Sequence, residues 1–277
     1  MPPDKAVVAH HFEAMGTACS LFAVGMPERC LVDGERWVHD LASRLTRFSA
    51  DSELSRLNER AGEWVEISVE LEAVLRAARR AYEMSSGLVN VAVLPSLLAA
   101  GYTRTLSAGA TAVTLERARP APALPEVLHV RAGLARIEPG ACLDLGGIAK
   151  GWMADRLCEV LGPNAVVNLG GDLRAVGAGP RGDGWPVSVA GITLLLRDQG
   201  VATSSVRRRR WVDAHHLIDP RSGLPAETGL EEVSVVAASG FEAEVVAKTA
   251  LLLGPEVATA YCSRHALAWW LDGRHDA

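Results

Sequence analysis

The sequence predicts an α+β fold, and three observations lead to that class. Amphipathic helical segments and short apolar strands both occur along the chain. They do not follow the regular βαβ alternation of a parallel sheet, which leaves α+β or an irregular α/β arrangement. The chain has 277 residues, of which 49% are hydrophobic, so it can bury one large core or two small ones. We expect a single α+β domain over residues 1–277.

The composition argues against several classes of protein. A net charge of −5 disfavours a general nucleic-acid binder. The five cysteines are scattered and contain no Cys-x-x-Cys pair, which fits reduced thiols better than a disulfide framework or a zinc site. The N-terminus lacks the apolar core of a signal peptide, and no apolar run reaches the length of a membrane span. We therefore expect a cytoplasmic protein with no membrane span and no nucleic-acid partner.

The N-terminal segment is predicted to form a hairpin followed by two helices. Residues 6–24 alternate loosely and break at Met15-Gly16-Thr17, a pattern that predicts two strands around a tight turn. Residues 31–48 place apolar side chains on one helical face. A short helix is expected next, capped by Ser49 or Asp51.

The following segment is predicted to be less regular after one strong helix. Residues 68–84 have helical periodicity, and Gly87 fits a C-terminal cap. Residues 88–102 are apolar but contain a proline, which predicts a loop and a short helix. Residues 104–127 are rich in Ala, Pro and Thr, and we expect an irregular connection that could contain a strand.

The central stretch, residues 143–155, combines features of an anion site. An apolar lead-in ends at Asp144, Gly146-Gly147 follows, and a helical pattern then begins with Lys150 in its first turns. This predicts a turn between a strand and a helix. Two glycines, free N–H groups at a helix start and a lysine suit a phosphate. A packed helix start with a surface lysine is the alternative, and no Walker A or Rossmann motif is present.

The second half of the chain is predicted to hold further strands and one helix. The expected strands are 165–169, 187–196, 200–203, 233–238 and 266–271, with 187–196 continuing the same sheet. The expected helix is 241–253, ending before Gly254. Glu244 and Lys248 are four residues apart on it, which by itself is typical of a surface ion pair.

The segment from His216 to Gly223 has two interpretations. Alternation puts His216 and Ile218 on one face, while Asp219-Pro220 opens a turn that Gly223 closes. A histidine beside a carboxylate can act as an acid or a base. Alternatively, Asp219 stabilises the turn by accepting backbone N–H groups.

Several short motifs recur in a fixed order and cover residues 12–254. They are Met15-Gly16-Thr17; residues 51–58 (Asp-Ser-Glu-Leu-Ser-Arg-Leu-Asn); residues 144–151 (Asp-Leu-Gly-Gly-Ile-Ala-Lys-Gly); residues 168–172 (Asn-Leu-Gly-Gly-Asp); Ala202-Thr203-Ser204; residues 216–220 (His-Leu-Ile-Asp-Pro); and Ala243-Glu244 before Leu253-Gly254. In this order the chain resembles the ApbE family of FAD:protein FMN transferases.

The resemblance implies an ApbE-like, T-fold-like α+β domain that binds FAD in a cleft. It implies magnesium-assisted transfer of FMN from FAD to a Thr or Ser hydroxyl of an acceptor redox protein, with release of AMP. The positions it assigns to flavin binding are Met15, Phe48, Leu88, Val89, Asn90, Asp144, Lys150 and Ile218. His216 falls at a position considered for acid–base chemistry, with Lys150 beside the developing phosphate charge. Gly147 and Glu244 fall at the metal position.

Three departures from the family pattern bear on activity. After Gly87, Leu88-Val89-Asn90-Val91 replaces an aromatic residue and Asp-Pro-Thr, and Ser205 replaces the glycine that usually follows Thr-Ser. Lys248 stands at a usual magnesium-ligand position, and a protonated lysine has no lone pair for Mg²⁺. Either the metal site is rebuilt or an ammonium group stands in place of the cation. The alternative functions are a flavin-binding homologue without transferase activity and an FAD pyrophosphatase.

Overall fold

The structure is a computed structural model that describes residues 6–105, 108–109, 111–207, 209–211 and 214–275. The chain forms two compact units. The first unit comprises Met1–Asp40, Ala149–Ser204 and Glu232–Ala277, and the second comprises Leu41–Ile148 and Ser205–Glu231. Each unit therefore combines segments that are distant in sequence.

Helices and strands both contribute throughout the described residues. The strands are β1 (Val7–Ala14), β2 (Thr17–Val24), β3 (Val65–Glu66), β4 (Leu128–Arg131), β5 (Leu134–Ile137), β6 (Ala165–Leu169), β7 (Asp172–Val176), β8 (Trp185–Val189), β9 (Ile192–Leu196), β10 (Gln199–Ser205), β11 (Arg210–Trp211), β12 (Ala214–His215), β13 (Ile218–Asp219), β14 (Leu224–Pro225), β15 (Glu232–Ala237) and β16 (Ala268–Leu271). The α-helices are α1 (Glu28–Leu45), α2 (Glu53–Glu59), α3 (Val69–Met84), α4 (Leu94–Ala99), α5 (Leu124–Val127), α6 (Ala149–Leu161), α7 (Gly240–Leu253) and α8 (Pro255–His265), with 3₁₀ turns at Val91–Val93 and Leu115–Arg117.

A seven-stranded sheet forms the centre of the first unit, in the order β1-β2-β6-β7-β10-β15-β16. The β2–β6 pair is antiparallel, with Leu21 opposite Val167. Alternate residues of β2 are buried, because successive side chains of a strand point to opposite faces. Helices α6 and α7 contact each other and the sheet. The β8–β9 hairpin adds Trp185 to a core cluster that includes Val166.

Helix α7 is buried on nearly every side, which fits its predominantly apolar sequence. It approaches α6 so closely that a Cβ atom on Gly151 would lie 2.5 Å from the Gly240 carbonyl oxygen. Asp155 of α6 accepts the Gly240 N–H at 2.7 Å and the Phe241 N–H at 2.9 Å. The small residue and the capping carboxylate together fix the beginning of α7 against α6.

The second unit is built from α2 to α5 and a small antiparallel sheet in the order β3-β5-β4. Ser68 caps α3 by accepting the Leu71 N–H at 3.1 Å. Leu71 and Leu75 on α3 are buried and face the core, as their helical spacing predicts. The hairpin β13–β14 pairs Ile218 with Pro225.

Most of the predicted elements are confirmed, with differences at caps and connections. The α2 cap is Ser52, whose Oγ accepts the Ser55 N–H at 2.9 Å, so the assignment to Ser49 or Asp51 was wrong. The α3 C-cap is Ser85 rather than Gly87.

The predicted strand before Asp144 is absent from the described residues, because β5 ends at Ile137 and residues 141–145 form no ladder. Residues 187–196 belong to the separate β8–β9 hairpin rather than to the main sheet. Helix α8 was not predicted. Among the described part of residues 104–127 there is no strand. The single-domain assignment stays a prediction.

Among the described residues, no helix combines the length and the apolar character that a bilayer crossing requires.

Candidate functional site

The predicted site residues are divided between the two units. The first unit holds Met15, Lys150, Glu244 and Lys248. The second unit holds Phe48, Leu88, Val89, Asn90, Asp144, Gly147, His216 and Ile218. Within each unit, some of the predicted site residues contact one another and others do not.

Met15 sits in the two-residue turn between β1 and β2. Its φ is +54° and that of Gly16 is +71°, as in the tight turns that match the twist of a hairpin. Gly16 adopts this conformation without strain, whereas a methionine there is unfavourable. The half-buried Met15 side chain therefore occupies a turn position whose positive φ is unfavourable for methionine. Strain of this kind is a reason to look for a function of the side chain.

Met15→Asn will stabilise the hairpin and weaken FAD binding. Asparagine tolerates positive φ, so the free energy of unfolding should rise by up to about 1 kcal/mol. Urea unfolding followed by circular dichroism measures the stability, and flavin fluorescence titration measures the affinity. Ala190→Asn is the matched control, because Ala190 occupies the same turn position between β8 and β9 with a φ of +48°. Both variants should gain stability, and only the first should lose affinity. If Met15→Asn binds FAD as tightly as the wild-type protein does, Met15 is not part of the site.

Lys150 lies at the centre of a buried charged network in the first unit. Its ammonium group pairs with the carboxylate of Asp172, the first residue of β7. It also lies 3.4 Å from Oε1 of Glu244 on α7. Only 15% of the Lys150 side chain and 5% of each carboxylate side chain are exposed. The pairing therefore replaces much of the hydration that these three charged groups lose on folding.

Glu244 does not form a surface pair, so that interpretation of its spacing from Lys248 was wrong. The side chain is buried, and Oε2 accepts the Gly151 N–H at 2.9 Å. Burial follows because α7 packs this face against α6. Asp172 is part of the ordered motif of residues 168–172, but no role was predicted for it. Its position directly after Gly170-Gly171, at the end of a predicted strand, was the sequence signal that could have identified it.

The residues of the first unit do not fit a magnesium site at Glu244. Both of its oxygens already have partners, a backbone N–H and the Lys150 ammonium. One helical turn further along α7, the half-buried Lys248 offers no lone pair to a cation. Across the described ranges, no group of three His, Cys, Asp or Glu side chains is arranged to hold a metal ion. Gly147 lies in the second unit, in the turn before α6.

In the second unit, Arg47 joins Phe48 to Asp144. Its Nε donates to Asp144 Oδ2 at 2.5 Å, and its Nη2 donates to the Tyr102 carbonyl at 2.6 Å. Its guanidinium carbon lies 4.2 Å from the centre of the Phe48 ring. Arg47 was not predicted as a functional residue, because a lone arginine near a helix end carries no distinctive signal.

The segment 88–91 is linked to Asp144 through the main chain. The Asp144 N–H donates to the Val91 carbonyl at 2.8 Å. Asn90 accepts the Ala92 N–H and donates to the Pro122 carbonyl, both at 2.9 Å. Leu88, Val89 and Asn90 are all buried. Asn90 thus shapes this loop, and flavin contacts from the three side chains stay a prediction.

Two adjacent histidines have different environments in the second unit. His215 is buried, its Nδ1 accepts the Leu217 N–H at 3.3 Å, and its Nε2 donates to the Ala226 carbonyl at 3.0 Å. Burial lowers the pKa of His215, which favours this neutral form. His216 is half-buried and its backbone N–H donates to the Arg209 carbonyl at 3.2 Å. His215 is therefore structural, and His216 is the better candidate for moving a proton.

Ile218 and Asp219 have structural roles in the hairpin that follows. Ile218 is buried in a cluster with Leu94 and Tyr102. The Asp219 carboxylate accepts the Arg221 backbone N–H at 2.9 Å and pairs with its guanidinium group at 2.7 Å. Gly223 closes the turn by donating its N–H to the Asp219 carbonyl at 2.8 Å. These contacts support the turn interpretation of Asp219.

Comparison with known proteins supplies a family. A model of the ApbE family matches residues 15–270. The FAD:protein FMN transferase of Treponema pallidum is 31% identical, over 76% of this chain and 67% of that protein. That of Haemophilus influenzae is 26% identical, over 87% of this chain and 78% of that protein. The apo crystal structure of Pseudomonas stutzeri flavinyl transferase ApbE matches with a TM-score of 0.84 and 23% identity, covering 97% of this chain and 93% of that one. This likeness confirms the predicted ApbE-like α+β fold.

Proposed function

Because this chain belongs to the ApbE family, we propose that it is an FAD:protein FMN transferase. The observation that carries the proposal is the family match over residues 15–270, which includes every predicted site residue. The substrate is FAD, and the partner is an acceptor redox protein that presents a Thr or Ser hydroxyl. The cytoplasmic location inferred from the sequence stays a prediction.

The proposed reaction transfers FMN from FAD to the acceptor hydroxyl through its phosphorus atom, and it requires no further reactant. The acceptor hydroxyl attacks the phosphorus of the FMN half of FAD, and a new O–P bond forms. The bond from this phosphorus to the bridging oxygen breaks, and the electron pair leaves on AMP. The hydroxyl proton passes to His216. Catalysis of this kind depends mainly on positioning and on cations near the developing charge.

The residues of each unit have distinct parts in the proposal. In the first unit, the Lys150 ammonium supplies positive charge, and Met15 offers an apolar side chain to a ring system. In the second unit, Phe48 offers an aromatic ring with 39% of its surface exposed. Asp144 is oriented by Arg47, and His216 is the proton acceptor.

Mass spectrometry of an acceptor peptide incubated with FAD and the protein tests the function. We expect the peptide to gain the mass of one FMN while one equivalent of AMP appears. FAD binding without any mass gain would instead indicate a flavin-binding homologue. Release of both FMN and AMP without peptide modification would indicate an FAD pyrophosphatase.

FAD binding is expected to depend little on Mg²⁺, because Lys248, one helical turn after Glu244, carries a positive charge and has no lone pair for the cation. Fluorescence titration with FAD in EDTA and in Mg²⁺ should therefore give the same affinity. Lys248→Thr removes an ammonium group and adds a hydroxyl oxygen, so binding in this variant should become Mg²⁺-dependent. Lys248→Met is the control, since it removes the charge without adding a ligand. A wild-type protein that loses FAD in EDTA would contradict this prediction.

A further inference from the structure

We propose that Arg47 is a positioning residue for the flavin, because it holds the carboxylate of Asp144 and the exposed ring of Phe48 in one fixed arrangement. Neither the sequence motifs nor the family comparison assigns it a role. The inference rests on the proposed function, since Phe48 and Asp144 are its flavin-binding residues. All the residues involved belong to the second unit.

Asp144 is held in one orientation by hydrogen bonds to its side chain and to its main chain. Its Oδ2 accepts from Arg47 Nε at 2.5 Å, and its Oδ1 accepts the Gly146 N–H at 2.8 Å. Its own backbone N–H donates to the Val91 carbonyl at 2.8 Å. The carboxylate is therefore held at both oxygens and at the main chain. A side chain so constrained can present one fixed acceptor surface to a ligand.

The Phe48 ring is exposed but held in place by Arg47 and Tyr102. Phe48 follows the end of α1 and keeps 39% of its surface exposed, which is unfavourable for a large apolar side chain. The guanidinium group of Arg47 lies over this ring, and Tyr102 meets it edge-on with the ring centres 5.5 Å apart. These contacts hold the ring in place while it remains accessible. A rigid exposed ring suits stacking with a planar ligand at a low entropy cost.

Position 47 requires the planar guanidinium group of an arginine. Only 5% of the Arg47 side chain is exposed, and its guanidinium carbon lies 4.2 Å from the centre of Phe48 and 4.7 Å from that of Tyr102. A planar guanidinium group can lie against rings and donate at its edge to Asp144 and to the Tyr102 carbonyl at the same time. An ammonium group cannot do both. The geometry thus uses the features that distinguish arginine from lysine.

Arg44, in the last turn of α1, provides a matched control three residues before Arg47. Like Arg47 it is an arginine paired with carboxylate, in this case with Glu53 at 2.7 Å and with Glu70 at 2.8 Å. Neither carboxylate is among the predicted flavin-binding residues. Truncation of either arginine should lower stability because a carboxylate loses its partner. Only truncation at position 47 should also disturb the flavin.

The test compares Arg47→Met, Arg47→Lys and Arg44→Met with the wild-type protein. The readouts are thermal unfolding, the FAD dissociation constant, and the absorbance and fluorescence of the bound flavin. Arg47→Met should weaken FAD binding roughly tenfold and shift the bound-flavin spectrum toward that of free flavin. Arg47→Lys should recover most of the thermal stability but not the spectrum. Arg44→Met should lower the melting temperature with the wild-type spectrum and affinity.

The outcomes separate this inference from the proposed function. If the wild-type protein binds FAD and modifies an acceptor, but the two methionine variants behave alike toward FAD, then Arg47 is only structural and the inference fails alone. A lysine variant with the wild-type flavin spectrum would also overturn it. If the wild-type protein does not bind FAD at all, both the function and the inference are wrong.

Discussion

Replacing Lys150 with methionine will lower the free energy of unfolding by about 3–5 kcal/mol. Methionine has a similar length but no charge, so two buried carboxylates, Asp172 and Glu244, would face each other without their shared cation. The midpoint of urea unfolding, followed by circular dichroism, measures the loss. A shift no larger than that of an exposed substitution would show that the network contributes little.

A double variant separates the structural role of Lys150 from its proposed contact with FAD. Lys150→Met combined with Asp172→Asn removes one charge of each sign, so much of the stability should return. If the ammonium group also contacts the diphosphate, FAD binding in this stable variant should still be weaker by about 1.5–3 kcal/mol, the usual contribution of a charge-assisted hydrogen bond. Wild-type affinity in the double variant would leave Lys150 with a structural role only.

His216→Ala is expected to reduce the rate of FMN transfer by roughly 10²-fold or more, with a much smaller effect on FAD affinity. The reason is that a proton acceptor for the hydroxyl acts in the transition state and contributes little to binding of the ground state. Single-turnover transfer to an acceptor peptide, followed by mass spectrometry, measures the rate. FAD titration of the same sample measures the affinity.

His215→Gln is the neighbouring control. His215 is fixed by main-chain partners at both ring nitrogens, so this variant should lose thermal stability while its folded fraction transfers FMN at close to the normal rate. If the two variants lose activity equally, the segment as a whole matters and His216 has no special part. A His216→Ala protein with normal transfer would leave the proton acceptor to another residue.

Local patterns predicted the regular elements of this fold well. The β1–β2 hairpin, α1, α3 and α7 each carry a clear period of two or 3.6 residues or a turn signal, and each is present. The errors occur where several local solutions compete. Ser49, Ser52 and Asp51 are all acceptable caps, and only the backbone path selects Ser52. The apolar lead-in before Asp144 resembled a strand, but its burial comes from tertiary packing rather than from a ladder.

The candidate site was predictable only as far as its residues occur in ordered motifs. Lys150 and Glu244 were found in this way, but their mutual contact and the participation of Asp172 depend on how α6, α7 and β7 meet. Arg47 and Asp144 are far apart in sequence, and nothing local to either one indicates their pairing. A motif names individual positions. The partners of those positions are determined by long-range packing.

The strand order of the first unit has a consequence for how the protein is made. β2 pairs with β6, and β15 with β16 completes the far side of the same sheet, so the sheet combines strands that are far apart in the sequence. During translation, the β1–β2 hairpin emerges from the ribosome long before β6, the strand that pairs with β2, has been synthesised. Until β6 is present, the edge of β2 that pairs with it is unpaired and can associate with other chains. The long sequence separation of these pairs also predicts slow folding of this unit, and Leu41–Ile148 can collapse earlier during translation.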